Sequence, residues 1–211
     1  MDTLITQDFK TISSDPTQTL QRFDLDELAQ YTAEKSFDPD VSKDFRLFFV
    51  GHDDVHNILK HVFARVSSSL YLNMFGFDDE ELNDIIWEKV MNPNITVMIT
   101  LDKSQSGGIH ERKLLDTDRA KNLAAFNSHF VIGTSATSQI SHTKGFVADG
   151  KVGGEGSTNW SASGEGTGIF DVARKGFKAQ NNTQTIFTDK INLNRFTNQL
   201  IVEHIAAVKQ K

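Results

Sequence analysis

His142, Lys144, Asp149, Gly156, Ser157 and Asn159 follow one another with the spacing H-x-K-x4-D-x6-G-S-x-N, without gaps. Near neutrality histidine can be either a nucleophile or a proton carrier. Lysine offers positive charge, and serine and asparagine offer short polar donors. A phosphodiester needs that combination, because its non-bridging oxygens must be compensated before a nucleophile can approach. Six fixed residues at average frequencies coincide by chance in a chain of this length on the order of a few times per million. The pattern therefore reads as a phosphate-binding site with a nucleophile in it.

The surrounding text predicts the elements that must position these groups. Ile140–Ala148 reads as a strand, which puts His142 and Lys144 on one sheet face. Asp149-Gly150 is a hairpin turn signal, so the following strand returns beside them and delivers Gly156 to Asn159 to the same end. Upstream, Arg46–Val50 reads as a buried strand, and Asp53 or Asp54 caps a helix with Val55, Ile58, Leu59, Val62, Phe63 and Val66 on its stripe. A strand at Leu70–Phe77, a helix at Asp78–Val90 and a strand at Ile95–Leu101 follow. A polar loop spans 102–110. One helix is expected over Glu111–Phe126, then a strand at His129–Gly133. Thr183–Phe187 is a strand, and Asp189 caps a last helix. Strands alternating with helices predict an α/β sandwich around one mixed β-sheet.

The motif resembles that of the phospholipase D superfamily, over about residues 45–211. The resemblance implies a phospholipase D-like α/β/α sandwich with a central mixed sheet. It also implies a two-step mechanism without metal. One histidine attacks phosphorus to give a phosphohistidine, a second, protonated histidine releases the leaving alcohol, and water resolves the intermediate. Lys144, Ser157 and Asn159 would hold the phosphate. One chain supplies one motif, so the resemblance implies a homodimer with His142 of each subunit facing the other across a two-fold axis. In many relatives a glutamate on the next strand orients the nucleophile. Gln184 stands at that place here, and an amide cannot stabilise an imidazolium by charge. Asp149 could enter the catalytic network, but its place in an Asp-Gly turn favours a structural role.

Other residues admit a sharper and a plainer reading. Arg174, Lys175 and Lys178, around Phe177, could reach a nucleic-acid backbone or form an ordinary hairpin tip. Arg112, Lys113, Arg119 and Lys121, with Lys103 and His110 before them, could line a groove. Glu111, Asp116 and Asp118 among them fit a salt-bridged face equally well. His52 and His56 have a metal-compatible spacing, but they flank a helix start without a third ligand, which favours surface or capping histidines. No metal or other cofactor is expected. Trp160 follows Asn159 and is expected to wall the pocket. Trp87 is expected in the core or at a dimer contact. His129, at a strand start, carries no clear chemistry.

Composition sets the outer limits. The chain has 211 residues, 38% hydrophobic, enough for one ordinary core. It has no cysteine, which excludes disulfides, thiolate metal sites and thiol nucleophiles. Residues 1–44 carry ten acids against four bases, and residues 45–211 carry eighteen of each. The net charge of −6 therefore sits in the N-terminal segment. That segment reads as an acidic appendage to a catalytic domain at 45–211, with a short helix near Asp24–Ala33. It could serve a regulatory protein partner or mask a basic cleft. No apolar run approaches a membrane span, and Met1-Asp2-Thr3-Leu4 does not begin a signal peptide, so the cytoplasm is the expected compartment. Three functions follow: a nuclease for DNA or RNA, a phospholipase D acting on lipid headgroups, or a non-catalytic phosphate-binding or regulatory module.

Overall fold

The computed structural model describes residues 23–167 and 178–210. A 3-10 helix at Leu25–Tyr31 comes first, capped by the Asp24 carboxylate. β1 (Phe45–Phe49), α1 (Val55–Ala64), β2 (Ser69–Met74), α2 (Glu80–Val90) and β3 (Thr96–Asp102) follow. Next come α3 (Ile109–Lys121), α4 (Leu123–His129), β4 (Phe130–Gly133), β5 (Lys144–Ala148) and β6 (Val152–Gly156). A four-residue α5 (Ala162–Glu165), β7 (Thr183–Phe187) and α6 (Lys190–Val208) complete the order. The seven strands form one sheet ordered β1-β7-β6-β5-β2-β3-β4. β2, β3 and β4 run parallel, and the remaining neighbours are antiparallel.

The expected α/β/α sandwich around a mixed sheet is what forms. Side chains alternate across β5, so Phe146 meets Phe63 of α1 at 4.7 Å while Val147 joins Leu193 and Leu200 of α6 on the opposite face. The first face carries the main core, to which α1, α2, α3 and α4 all contribute. Leu25 and Leu28 of the 3-10 helix are buried in that same core, and Tyr31 Oη lies 3.1 Å from His61 Nδ1 on α1. The described part of the acidic segment thus shares the core of the rest of the chain. Residues 1–22 lie outside the described residues.

The helix starts follow their side chains. Asp54, Asp79 and Asp189 each accept from the backbone N–H three residues on, which satisfies one of the orphan donors of α1, α2 and α6. Asp149 and Gly150 both have positive φ, 55° and 61°, and form the centre of a turn closed by Lys151 N–H donating to Ala148 O at 3.0 Å, in a hairpin loop between paired Ala148 and Val152.

Three expectations need correction. β1 is an edge strand, not a buried one: Arg46 and Phe48 point inward while Phe45, Leu47 and Phe49 are exposed. Its apolar run hid the alternation. The single helix expected over 111–126 is two helices. Asn122 is extended, closes α3 through Asp118 O and caps α4 through the N–H of Ala125. The break turns Phe126 onto Phe130, stacked at 4.6 Å. Finally, β5 begins at Lys144 and not at Ile140. Lys144 pairs with Met74, the last residue of β2, so the chain before it has no partner on that side.

Candidate active site

The motif residues gather at one end of the sheet. Lys144 opens β5, Gly156 ends β6 and pairs with Gln184 of β7, and Met74 ends β2 opposite Lys144. Gly145 pairs with Glu155, so Lys144, Gly156 and Gln184 fall in one cross-strand row. Glycine is required in the middle of it: a Cβ on Gly156 would stand 2.2 Å from the carbonyl oxygen of Thr183.

His142 precedes the strand and is exposed. The residue before it is fixed from two sides. Ser141 N–H donates to Asp102 Oδ2 at 2.5 Å, and its hydroxyl donates to Asn73 Oδ1 at 3.0 Å. The His142 ring packs on Phe75 with centroids 4.4 Å apart. Lys144 Nζ lies 3.3 Å from both ring nitrogens, donates to the His142 carbonyl at 3.1 Å and stands 4.9 Å from the Phe75 ring centre. The lysine is only 4% exposed. Burial holds its pKa below the ordinary lysine value, against the opposing charge of Glu155. No carboxylate among the described residues forms an ion pair with it. An ammonium without an ion-pair partner beside an exposed imidazole can hold an anion.

Ser157 and Asn159 follow in the loop after β6. Ser157 Oγ accepts from the N–H of Thr183 at 3.0 Å and donates to Asn182 Oδ1 at 3.2 Å. Asn159 Oδ1 is buried without a hydrogen-bond partner. It lines a cleft of about 180 Å³ with Gly76, Asp78, His110, Glu111 and Ser161. Glu111 was expected only as a charge on a solvated helix face, but it is 5% exposed. Burial, with Asp78 and Asp102 adding repulsion, pushes its carboxyl up to about 7, against the stabilising N–H of Phe77.

Several site expectations resolve differently. Asp149 sits at the far end of β5 from Lys144. Its carboxylate accepts from the N–H groups of Ser67, Ser68 and Ser69 and from the hydroxyls of Ser67 and Ser68. It fastens the hairpin to the start of β2 and is removed from the reacting centre. Trp160 does not wall a pocket: it is fully buried, packed on Phe63 at 5.0 Å and Phe77 at 5.7 Å. Gln184 is fully buried, with Nε2 donating to Thr185 O at 3.1 Å and Oε1 unpartnered. It shares the row with Lys144 but makes no hydrogen bond to His142. Arg174 and Lys175 lie outside the described residues, while Lys178 is exposed.

The basic helix is a salt-bridged face over much of its length: Lys113 pairs with Glu80, Arg119 with Asp116, and Lys121 with Asp84 and Asp118. Trp87 is core, and His129 Nδ1 lies 3.0 Å from Val97 O. His52 is exposed beside Glu34 and Asp53. His56 is neither surface nor cap. It is 4% exposed, with Nδ1 2.7 Å from Glu165 Oε2 and 3.5 Å from Asp79 Oδ2. Its partners are 109 and 23 residues away in sequence, so no local spacing could have revealed them.

This arrangement is the phospholipase D-like fold. Similar solved structures include NucT of Helicobacter pylori (15% identity, TM-score 0.57, covering 77% of this chain and 96% of that one). Nuc of Salmonella typhimurium, a phospholipase D family member, aligns at 13% identity and TM-score 0.52, covering 76% of this chain and 94% of that one. Phosphatidylserine synthase of Haemophilus influenzae aligns at 16% identity and TM-score 0.52, over 72% of this chain but 35% of the other. No protein-family model matches the sequence. No curated protein matches it either. No helix among the described residues is long and apolar enough to cross a membrane.

Proposed function

We propose that this protein is a metal-independent phosphodiesterase that cleaves DNA or RNA through a phosphohistidine, working as a homodimer with a shared site. The observation that carries the reading is the buried, unpaired Lys144 ammonium against the exposed ring of His142. In the first step a His142 ring nitrogen attacks phosphorus as the bond to the leaving oxygen breaks. His142 of the partner subunit gives that oxygen its proton. In the second step water attacks the phosphohistidine, surrenders a proton to the same partner histidine and frees His142. Lys144 neutralises a non-bridging oxygen throughout, Asn159 adds a hydrogen bond to it, and Ser157 adds one by turning its hydroxyl away from Asn182 Oδ1.

Two further observations support this reading. Nearly the full lengths of NucT and Nuc align with this chain, against about a third of the synthase. Ile109, in the cleft beside Asn159, and Ile140, two residues before His142, are exposed at 77% and 56%. Apolar side chains around an open site suit a two-fold contact that closes over it. A phospholipid headgroup substrate is the second reading, favoured by the fold shared with the synthase. Lys178 and the basic tract that contains it, Arg174 and Lys175 included, are assigned to the phosphate backbone. The acidic N-terminal segment is assigned to control, through a protein partner or by covering the site.

The test is cleavage of labelled single- and double-stranded DNA and RNA in excess EDTA, by wild type beside His142→Ala. Cleavage that survives EDTA and is lost in the variant supports the nuclease. Headgroup release from phospholipid without nucleic-acid cleavage would replace it with the second reading. Inactivity on all substrates would leave a phosphate-binding module. Removing residues 1–22 should raise cleavage if the segment covers the site.

A further inference from the structure

His56, Asp79 and Glu165 meet behind the loop that carries Asn159. They come from α1, the cap of α2 and α5, and all three are buried. One ligand atom from each lies within 4.8 Å of the other two. Asp79 divides its oxygens: Oδ1 caps α2 through Leu82 N–H at 2.8 Å, and Oδ2 faces His56 Nδ1 at 3.5 Å. Glu165 places Oε2 on the same nitrogen at 2.7 Å, while its Oε1 is buried with no hydrogen-bond partner. The other ring nitrogen, Nε2, stands 3.5 Å from Glu81 Oε2.

Without a cation the three groups are neutral only while Glu165 keeps its proton: burial pushes its carboxyl up to about 8, and the His56 imidazolium offsets Asp79 alone. The nearby Lys60 ammonium is taken up by Glu81 at 2.5 Å. A divalent ion with a neutral imidazole and two carboxylates sums to zero. Zinc–nitrogen and zinc–oxygen bonds of about 2.0–2.2 Å place tetrahedral ligand atoms roughly 3.3–3.6 Å apart. The 3.5 Å contact already fits, and the 2.7 Å contact must open by about 0.6–0.9 Å to reach that tetrahedral spacing. A carboxylate on the non-ligating imidazole nitrogen is the usual support of a metal-bound histidine, and Glu81 stands there.

We propose that His56 Nδ1, Asp79 Oδ2 and Glu165 form a structural divalent-cation site of the zinc or manganese class. Its ion fastens α5, and with it the loop after the motif, to α1 and α2. The coupling to the motif is direct: a Cβ on Gly164 would stand 2.2 Å from the carbonyl oxygen of Asn159, so α5 and the Asn159 backbone are in contact. The ion takes no part in phosphoryl transfer, so EDTA should lower the melting temperature while leaving cleavage at 25 °C in place.

The experiment uses the full chain, stripped with EDTA, dialysed and titrated with ZnCl2 and with MnCl2 by calorimetry and thermal melting. Wild type is compared with Glu165→Gln and His56→Asn. The expected result is one ion per chain and a melting temperature higher by about 5–10 °C at a hundredfold excess over Kd. Both variants should lose binding and shift. Glu165→Gln nearly matches the shape of the protonated acid that burial favours in the ion-free chain, so it should melt no lower than ion-free wild type. Absence of binding to wild type overturns the proposal, as does a shift that persists in both variants. If both variants fail to fold, CoCl2 added to wild type decides. A four-coordinate visible band displaced by one equivalent of zinc supports the site, and its absence overturns it.

Discussion

Replacing Asp149 by alanine should unfold the protein more readily without touching its chemistry. The Asp149 carboxylate collects three backbone N–H groups and two hydroxyls at 2.7–3.0 Å. The residue is half-buried, so water can replace part of what is lost. About 1 kcal/mol for each backbone donor is a fair allowance. Asp149 also has φ 55°, a left-handed conformation that costs alanine roughly 1 kcal/mol more. A loss of about 3–4 kcal/mol follows, or a fall of roughly 8–14 °C in melting temperature for a chain of this size. Asp149→Gly should lose about 1 kcal/mol less, because glycine accepts that backbone. The donors hold the Asp149 carboxyl below its ordinary value of 3.8 although burial opposes them. Its contribution is therefore present above that value and lost as pH falls through the folded pKa, so the gap between wild type and variant should close in acid. The assay is thermal melting from pH 3 to 8, paired with cleavage at 20 °C. A hundredfold loss of cleavage with an unchanged melting temperature would refute the reasoning and return Asp149 to the catalytic network.

Glu111 titrates near 7 in the folded chain against an ordinary value of 4.5, so folding holds a proton that the unfolded chain releases. Stability should fall as pH rises from about 4.5 to 7 and level off above. Glu111→Gln should remove that slope, gaining about 2–3 kcal/mol at pH 8 in denaturant melts. Gln184→Glu should cost about 2 kcal/mol or more and leave cleavage no faster, since the buried side chain faces the Thr185 carbonyl and not His142. Faster cleavage in that variant would mean that the amide does stand in for an orienting acid. Trp160→Ala should lose about 3–5 kcal/mol by emptying the contact with Phe63, Phe77 and Phe146, and Trp160→Phe far less, as read by urea midpoints.

What could be read from the chain was local. Asp54, Asp79 and Asp189 cap helices through donors three residues away, and the Asp149-Gly150 turn carries its geometry in its own two residues. Such features need no knowledge of the rest of the molecule. The reading lost ground where tertiary context decided. Asn122 breaks a helix that neither glycine nor proline marks, because Phe126 gains a stacking partner. Lys144 begins its strand because β2 has run out opposite it. At the site, the types and spacing of His142, Lys144, Ser157 and Asn159 were visible, but the Phe75 ring against His142 and the Asp102 anchor on Ser141 were not. The buried acids are the extreme case. Glu111 looks like a helix-face charge until its surroundings are known, and His56 and Glu165 acquire meaning only from residues far along the chain.

The hairpin clasp changes what the spacing of the motif measures. Lys144 and Asp149 stand five residues apart on extended chain, about 17 Å. They cannot serve one phosphate, so the four residues between them record the length of β5. What reads as a single chemical signature is a working end joined by a strand to its fastening. A variant chain with one residue inserted between Lys144 and Asp149 would keep every motif residue. It would nonetheless turn the histidine and lysine to the opposite face of the sheet whenever Asp149 stays seated on Ser67–Ser69.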